Sequence, residues 1–148
     1  METHLSLFQG TVFGDLETIL IDGEPYFPAS RCAKLLGYVN PRKAILDHCK
    51  HVVKRDGVSR TTNQHGTSTM QTVMTNYIPE GDLYRLIVRS NLPAAREFDH
   101  WLFDDALPSI RVNGAYIAPA VLDKVLEQPD TFDNLMRALE RELRLRKA

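Results

Sequence analysis

A chain of 148 residues with 43% hydrophobic and 25% charged side chains is long enough for one domain with a real core and an appendage, and too short for two large domains. Its two cysteines, Cys32 and Cys49, allow at most one bridge, and no apolar run approaches the length that spans a bilayer. The net charge of −1 conceals a polarity: residues 1–30 hold five acids and no Lys or Arg, whereas residues 31–60 hold eight bases against Asp47 and Asp56.

No basic start followed by a long apolar stretch opens the chain, so a cytoplasmic protein with reduced thiols is expected. Leu5-Ser6-Leu7-Phe8 alternates weakly. Thr18-Ile19-Leu20-Ile21 is an apolar run that ends in Asp22-Gly23, two residues that tolerate positive φ, and the spacing predicts a hairpin over about 17–27. A short helix over about 29–36 then closes at Gly37. Asn40 offers a side-chain acceptor to the free amides of a second helix, Pro41 occupies its first position, and it runs to about 49. Two helices so closely joined have the geometry of a helix-turn-helix, in which the second can enter a DNA groove. The bases clustered there (Arg31, Lys34, Arg42, Lys43, Lys50, Lys54, Arg55, Arg60) admit two readings, a solvated face or a surface for a polyanion.

Val58–Thr62 and Thr69–Tyr77, rich in Thr and Val, flank the polar Asn63-Gln64-His65-Gly66 and predict a second hairpin with a longer, mobile loop. Pro79-Glu80 opens a helix with Leu83, Leu86 and Ile87 at helical spacing. After Asn91-Leu92-Pro93, the stripe Ala94, Phe98, Trp101 and Leu102 marks another, with Trp101 expected in the core, Pro108 ending it and Asn113-Gly114 turning the chain. The tail carries two amphipathic stretches separated by Gln128-Pro129-Asp130, the second with Phe132, Leu135, Met136, Leu139 and Leu143 on one side and bases at its end. That helix can dock on the domain or pair with another copy.

Enzyme signatures are missing: no phosphate-cradling glycine loop, no Gly-x-Ser-x-Gly elbow and no His-Glu-x-x-His helix. His48-Cys49-x-His51 has metal-ligand residue types, but neighbours on a helix point about 100° apart, and the two histidines read better as extending the basic face. Asp104-Asp105 and Glu80-x-Asp82 are expected to be solvated or capping carboxylates rather than a metal-dependent nuclease site.

Two long stretches together resemble a known family. Residues Tyr26 to Ala44, reading YFPASRCAKLLGYVNPRKA, are similar to the helix-pair signature of the BRO N-terminal domain, found in viral BRO proteins and in phage and prophage antirepressors. Gly81 to Ser90, then Phe98-x-x-Trp101, Leu107-Pro108-Ser109-Ile110-Arg111 and Gly114-x-Tyr116, resemble its distal half. The likeness covers about 18–116, with Val112 standing where a base is expected and Gly81-Asp82 replacing the usual small-Gly order. It implies a small α+β domain of β-hairpins and short helices over 1–117, followed by a helical tail over 118–148. It also implies a non-catalytic antirepressor-like regulator that binds double-stranded DNA, with no cofactor, no metal and no membrane.

Matched residue by residue, Asn40, Pro41, Arg42 and Lys43 fall on the family's first element, and Leu83, Tyr84, Arg85, Ser90, Pro108 and Arg111 on the later one, with Leu83 and Pro108 structural. The candidate DNA-binding residues are Asn40, Arg42, Lys43, Lys50, Arg60, Arg85, Arg89 and Arg111. The alternative is a protein-interaction module that neutralises a phage repressor directly, through the tail or an exposed face of the domain, without DNA. Homo-oligomerisation through the C-terminal helix is compatible with either.

Overall fold

The computed structural model describes Leu16 and residues 18–147, excepting the side chains of 57–61 and 70. The weak alternation at Leu5–Phe8 lies outside the described residues. The chain forms two compact units, Met1–Asp104 and Asp105–Ala148.

In the first unit, β1 (Ile19–Ile21) and β2 (Glu24–Pro28) form the expected hairpin. Asp22 at φ 53° and Gly23 at φ 81° make its turn, the paired positive φ values that let a two-residue loop match the strand twist. β3 (Val53–Thr62) and β4 (Ser68–Pro79) form the second hairpin, longer than the Thr- and Val-rich runs suggest. All four strands join in one antiparallel sheet in the order β1-β2-β4-β3, so the fold is α+β.

The pairing is uneven. β2 meets β4 only at Tyr77, Ile78 and Pro79, whereas β3 pairs β4 from Val53 opposite Tyr77 to Thr62 opposite Ser68. The outer part of β3–β4 is therefore a two-stranded ribbon, and its described side chains from Asp56 outward to Met74 are exposed. At its tip Asn63 closes the loop: its side-chain oxygen accepts from the His65 and Thr67 amides at 2.9 and 3.0 Å, and Gly66 takes φ 80°.

Two helices, α1 (Ala29–Leu35) and α3 (Glu80–Arg89), pack on β2 and β4 at the base of the sheet; α2 (Pro41–His48) packs on both of them and α4 (Pro93–Trp101) on α3. α3 buries Leu83, Leu86 and Ile87 as its spacing predicts, while α4 buries Phe98 with Ala95, the expected Ala94, Trp101 and Leu102 being only partly buried. Ala29, Cys32 and Leu36 meet Ala44 and Ile45, Ile78 of the sheet, Leu83, Leu86 and Ile87 of α3, and Ala95 and Phe98 of α4. Trp101 packs partly buried on this core, its ring 5.4 Å from that of Phe98.

Pro108 does not end a helix as expected. α4 gives way to a π-helical turn at Leu102–Ala106, and Pro108 sits in the first turn of α5 (Leu107–Asn113). Proline has no N–H for the carbonyl four residues back and its ring crowds that oxygen, so a widened turn accommodates it where an α-turn cannot. Gly114, at φ 79°, caps α5. The second unit continues with α6 (Pro119–Glu127) and α7 (Pro129–Lys147), which pack on each other on either side of Gln128.

Candidate nucleic-acid interface

The site begins with the joint between α1 and α2. Leu35 is followed by a closing turn in which Gly37 takes φ 83°, letting the Gly37 and Tyr38 amides reach back to the carbonyls of Lys34 and Ala33. Asn40 then caps α2, its side-chain oxygen accepting the Lys43 amide at 3.1 Å.

Three polar side chains tie this joint and the far end of α2 to α3 and its exit. The Tyr38 hydroxyl donates to the Leu86 carbonyl at 2.7 Å. Ser90, buried just after α3, donates its hydroxyl to the Leu36 carbonyl at 2.6 Å and accepts the Leu92 amide at 3.1 Å. Asp82, fully buried on the first turn of α3, accepts the amides of Lys50 and His51 at 2.9 and 2.8 Å and the Arg85 guanidinium at 2.7 Å. A buried carboxylate is tolerated only when its lone pairs are satisfied in this manner. Asp82 is thus a clasp for the chain leaving α2, not the solvated or self-capping carboxylate that the sequence suggests. Glu80, its neighbour, is exposed and accepts the Tyr84 hydroxyl.

With its ends held, α2 buries Ala44 and Ile45 and turns Arg42, Lys43, Leu46 and Asp47 outward. Lys43 pairs with Asp47 at 3.0 Å, an exposed pairing one helical turn apart that leaves it free to exchange partners. Lys50 lies exposed just past the helix, its backbone amide held by Asp82 while its ammonium faces outward. Arg89 is exposed beside the joint, in an open cleft of about 480 Å³ that also takes in Tyr38, Val39 and Asn91.

Arg85 is committed to Asp82, with 41% of its side chain still exposed. Arg60 lies in the ribbon opposite Met70, six residues and roughly 20 Å along β3 from Lys54. Arg111 is exposed on α5, in the second unit. Lys54 and Arg55 at the ribbon base are exposed bases that residue matching to the family passes over; the pairing of β3 with β4 sets them opposite Asn76 and Thr75.

Neither thiol is chemically activated. Burial, with some help from Cys49, pushes Cys32 up to about 12, and burial together with the Asp82 charge pushes Cys49 up to about 11. His48 sets its ring 6.0 Å from that of Tyr38. Among the described residues no three His, Cys, Asp or Glu side chains converge to hold a metal. Asp104 and Asp105 are exposed, and Asp104 pairs with His100 at 2.6 Å. Also among the described residues, no helix is long and apolar enough to cross a membrane.

Helix pair, sheet and clasped helix define a small α+β module that presents one short helix and one ribbon to its surroundings. The chain belongs to the BRO family, N-terminal domain, whose family model matches residues 15–108. It is similar to an uncharacterized protein of Haemophilus influenzae, 38% identical over 109 residues that make up 70% of this chain and 50% of that protein. It is also similar to two Bro-N domain-containing proteins of invertebrate iridescent viruses. These are 019R of virus 3, at 30% identity over 75% of this chain and 34% of the relative, and 289L of virus 6, at 31% over 81% and 31%. The chain thus spans between about a third and a half of the length of these relatives. No solved structure matches it.

Proposed function

We propose that this chain is a DNA-binding regulator of the antirepressor type, acting without catalysis in the host cytoplasm. It lays the basic face of α2 on the phosphates of a duplex and uses the β3–β4 ribbon as a second point of attachment. The observation that carries this reading is the mounting of α2. A helix of only eight residues, outward-facing at Arg42 and Lys43, has the chain on either side of it held by hydrogen bonds of Tyr38, Ser90 and Asp82, that of Ser90 buried and the others partly so. Such pre-organisation lowers the ordering cost of binding. An α-helix and a two-stranded ribbon are also the two elements that fit the major groove.

Fluorescence anisotropy of a labelled duplex across a salt series tests it. Phosphate-dominated binding gives a steep linear fall of log K with log salt, and Arg42→Ala with Lys43→Ala reduces that slope by ~1 for each phosphate no longer neutralised. A folded double mutant with unaltered affinity and slope rules α2 out as the DNA-binding element.

A second reading has its own support. Val39 is fully exposed at the joint and Leu46 is exposed on the same helix as Arg42, a mixed apolar and basic surface that also suits a protein. In that reading the chain binds a phage repressor directly. A parallel titration with a candidate repressor, using the full chain and a variant lacking 119–148, separates the two: tight repressor binding with no DNA binding at low salt favours this one.

A further inference from the structure

We infer that α6 and α7 form a self-association surface, through which two copies of this chain pair with their α7 helices antiparallel. No side chain of α6 or α7 is buried, although Val121, Val125 and Leu135 are half-covered where the two helices pack. A two-helix hairpin with so little buried apolar surface is poorly stable in water, since a helix of this length draws its stability from packing. What is left over is organised. Phe132, Met136, Leu139 and Leu143 recur at intervals of four, three and four residues and so line one side of α7. They are between 40% and 57% exposed. The seam runs for roughly 17 Å.

Charge identifies the occupant and its direction. In α7, residues 129–136 carry Asp130 and Asp133 and no base, a net −2, whereas residues 137–147 carry Arg137, Arg141, Arg144, Arg146 and Lys147 against Glu140 and Glu142, a net +3. A second copy laid antiparallel sets Phe132 against Leu143 and Met136 against Leu139, and brings the acidic end of each α7 beside the basic end of the other. Opposed helix dipoles add to this. A parallel pair puts like charge against like at both ends. The intrahelical pairs Arg144–Glu140 and Arg146–Glu142 keep Glu140 and Glu142 from opposing the acids of the partner. Pairing of this kind does not depend on DNA binding.

The test is sedimentation equilibrium of the full chain, with and without Met136→Glu plus Leu139→Glu. The expected result is twice the chain mass for the parent and a dissociation constant raised at least ~10-fold in the variant. Photo-crosslinking of the unaltered sequence carrying benzoylphenylalanine in place of Phe132 gives direction without relying on that variant: adducts at residues 141–145 of the second copy support the antiparallel pair. A monomer at 100-fold the concentration used in the DNA titration, a dimer indifferent to the Glu substitutions, or adducts confined to residues 130–134 overturns the inference. A monomer whose Phe132 probe links to residues below 105 also overturns it, and identifies the chain's own first unit as the occupant instead.

Discussion

At the scale of single residues, Asp82 does the most for this fold. Removing its carboxylate with Asp82→Ala strips two amides and a guanidinium of their acceptor, and because Arg85 remains partly in water the cost is about 2–3 kcal/mol rather than that of a wholly buried pair. Urea unfolding followed by the fluorescence of Trp101, the single tryptophan, checks this. Asp82→Asn, which keeps one acceptor oxygen, is expected to lose about half as much. The thiols supply a prediction in pH. Their folded values, about 12 for Cys32 and about 11 for Cys49, exceed the ordinary 9.0, so the folded state holds these protons more tightly than the unfolded one. Their contribution is complete below pH 9 and is lost as pH rises through 11 to 12. Denaturation midpoints attributable to these groups should therefore be flat around neutrality and fall only above pH 9, and a thiol reagent at pH 8 should label the native protein far more slowly than the urea-unfolded chain.

Among the elements, α2 and the ribbon owe their positions to different physics. α2 is short, and its direction comes from bonds made by residues outside it. Tyr38→Phe removes one hydrogen bond, costing about 1 kcal/mol, and Ser90→Ala removes two, costing about 2 kcal/mol. If α2 is the element that meets DNA, both weaken DNA binding although neither residue faces the duplex, and anisotropy beside urea unfolding separates that effect from a loss of fold. The ribbon is anchored at its base, where β4 meets β2, α1 and α3. Replacing residues 57–73 with Asn-Gly joins Asp56 to its register partner Met74 through a turn suited to a hairpin. The thermal midpoint of the first unit should move by no more than a few degrees, since the described side chains removed are exposed, while DNA affinity falls.

For the whole molecule, the two units need not unfold together. Trp101 lies in the first unit and packs on its core, whereas helical circular dichroism reports on both units. With no buried side chain in α6 or α7, the dichroism should begin to fall at lower denaturant than the fluorescence changes. If the seam on α7 joins two copies, only the early phase should shift to higher denaturant as protein concentration rises. Coincident transitions at every concentration would show that the tail is stabilised by the rest of its own chain.

Much of this architecture is legible in the residues because its causes are local. Asp22-Gly23 must turn, Gly37 must close a helix, Asn40 and Pro41 must open one, and the periodic apolar residues of α3, α4 and α7 lie where helical spacing puts them. The family likeness is equally a property of sequence, and the match over 15–108 bears it out. What only tertiary structure decides is which partner a polar group finds across a long stretch of chain. Asp82 bonds amides more than thirty residues before it, Tyr38 a carbonyl 48 residues on, and Ser90 one 54 residues back. A carboxylate on a first helical turn looks the same in sequence whether it faces water or clasps a buried loop, because the distinction lies in desolvation, and desolvation is a property of the packed neighbours and not of the residue itself.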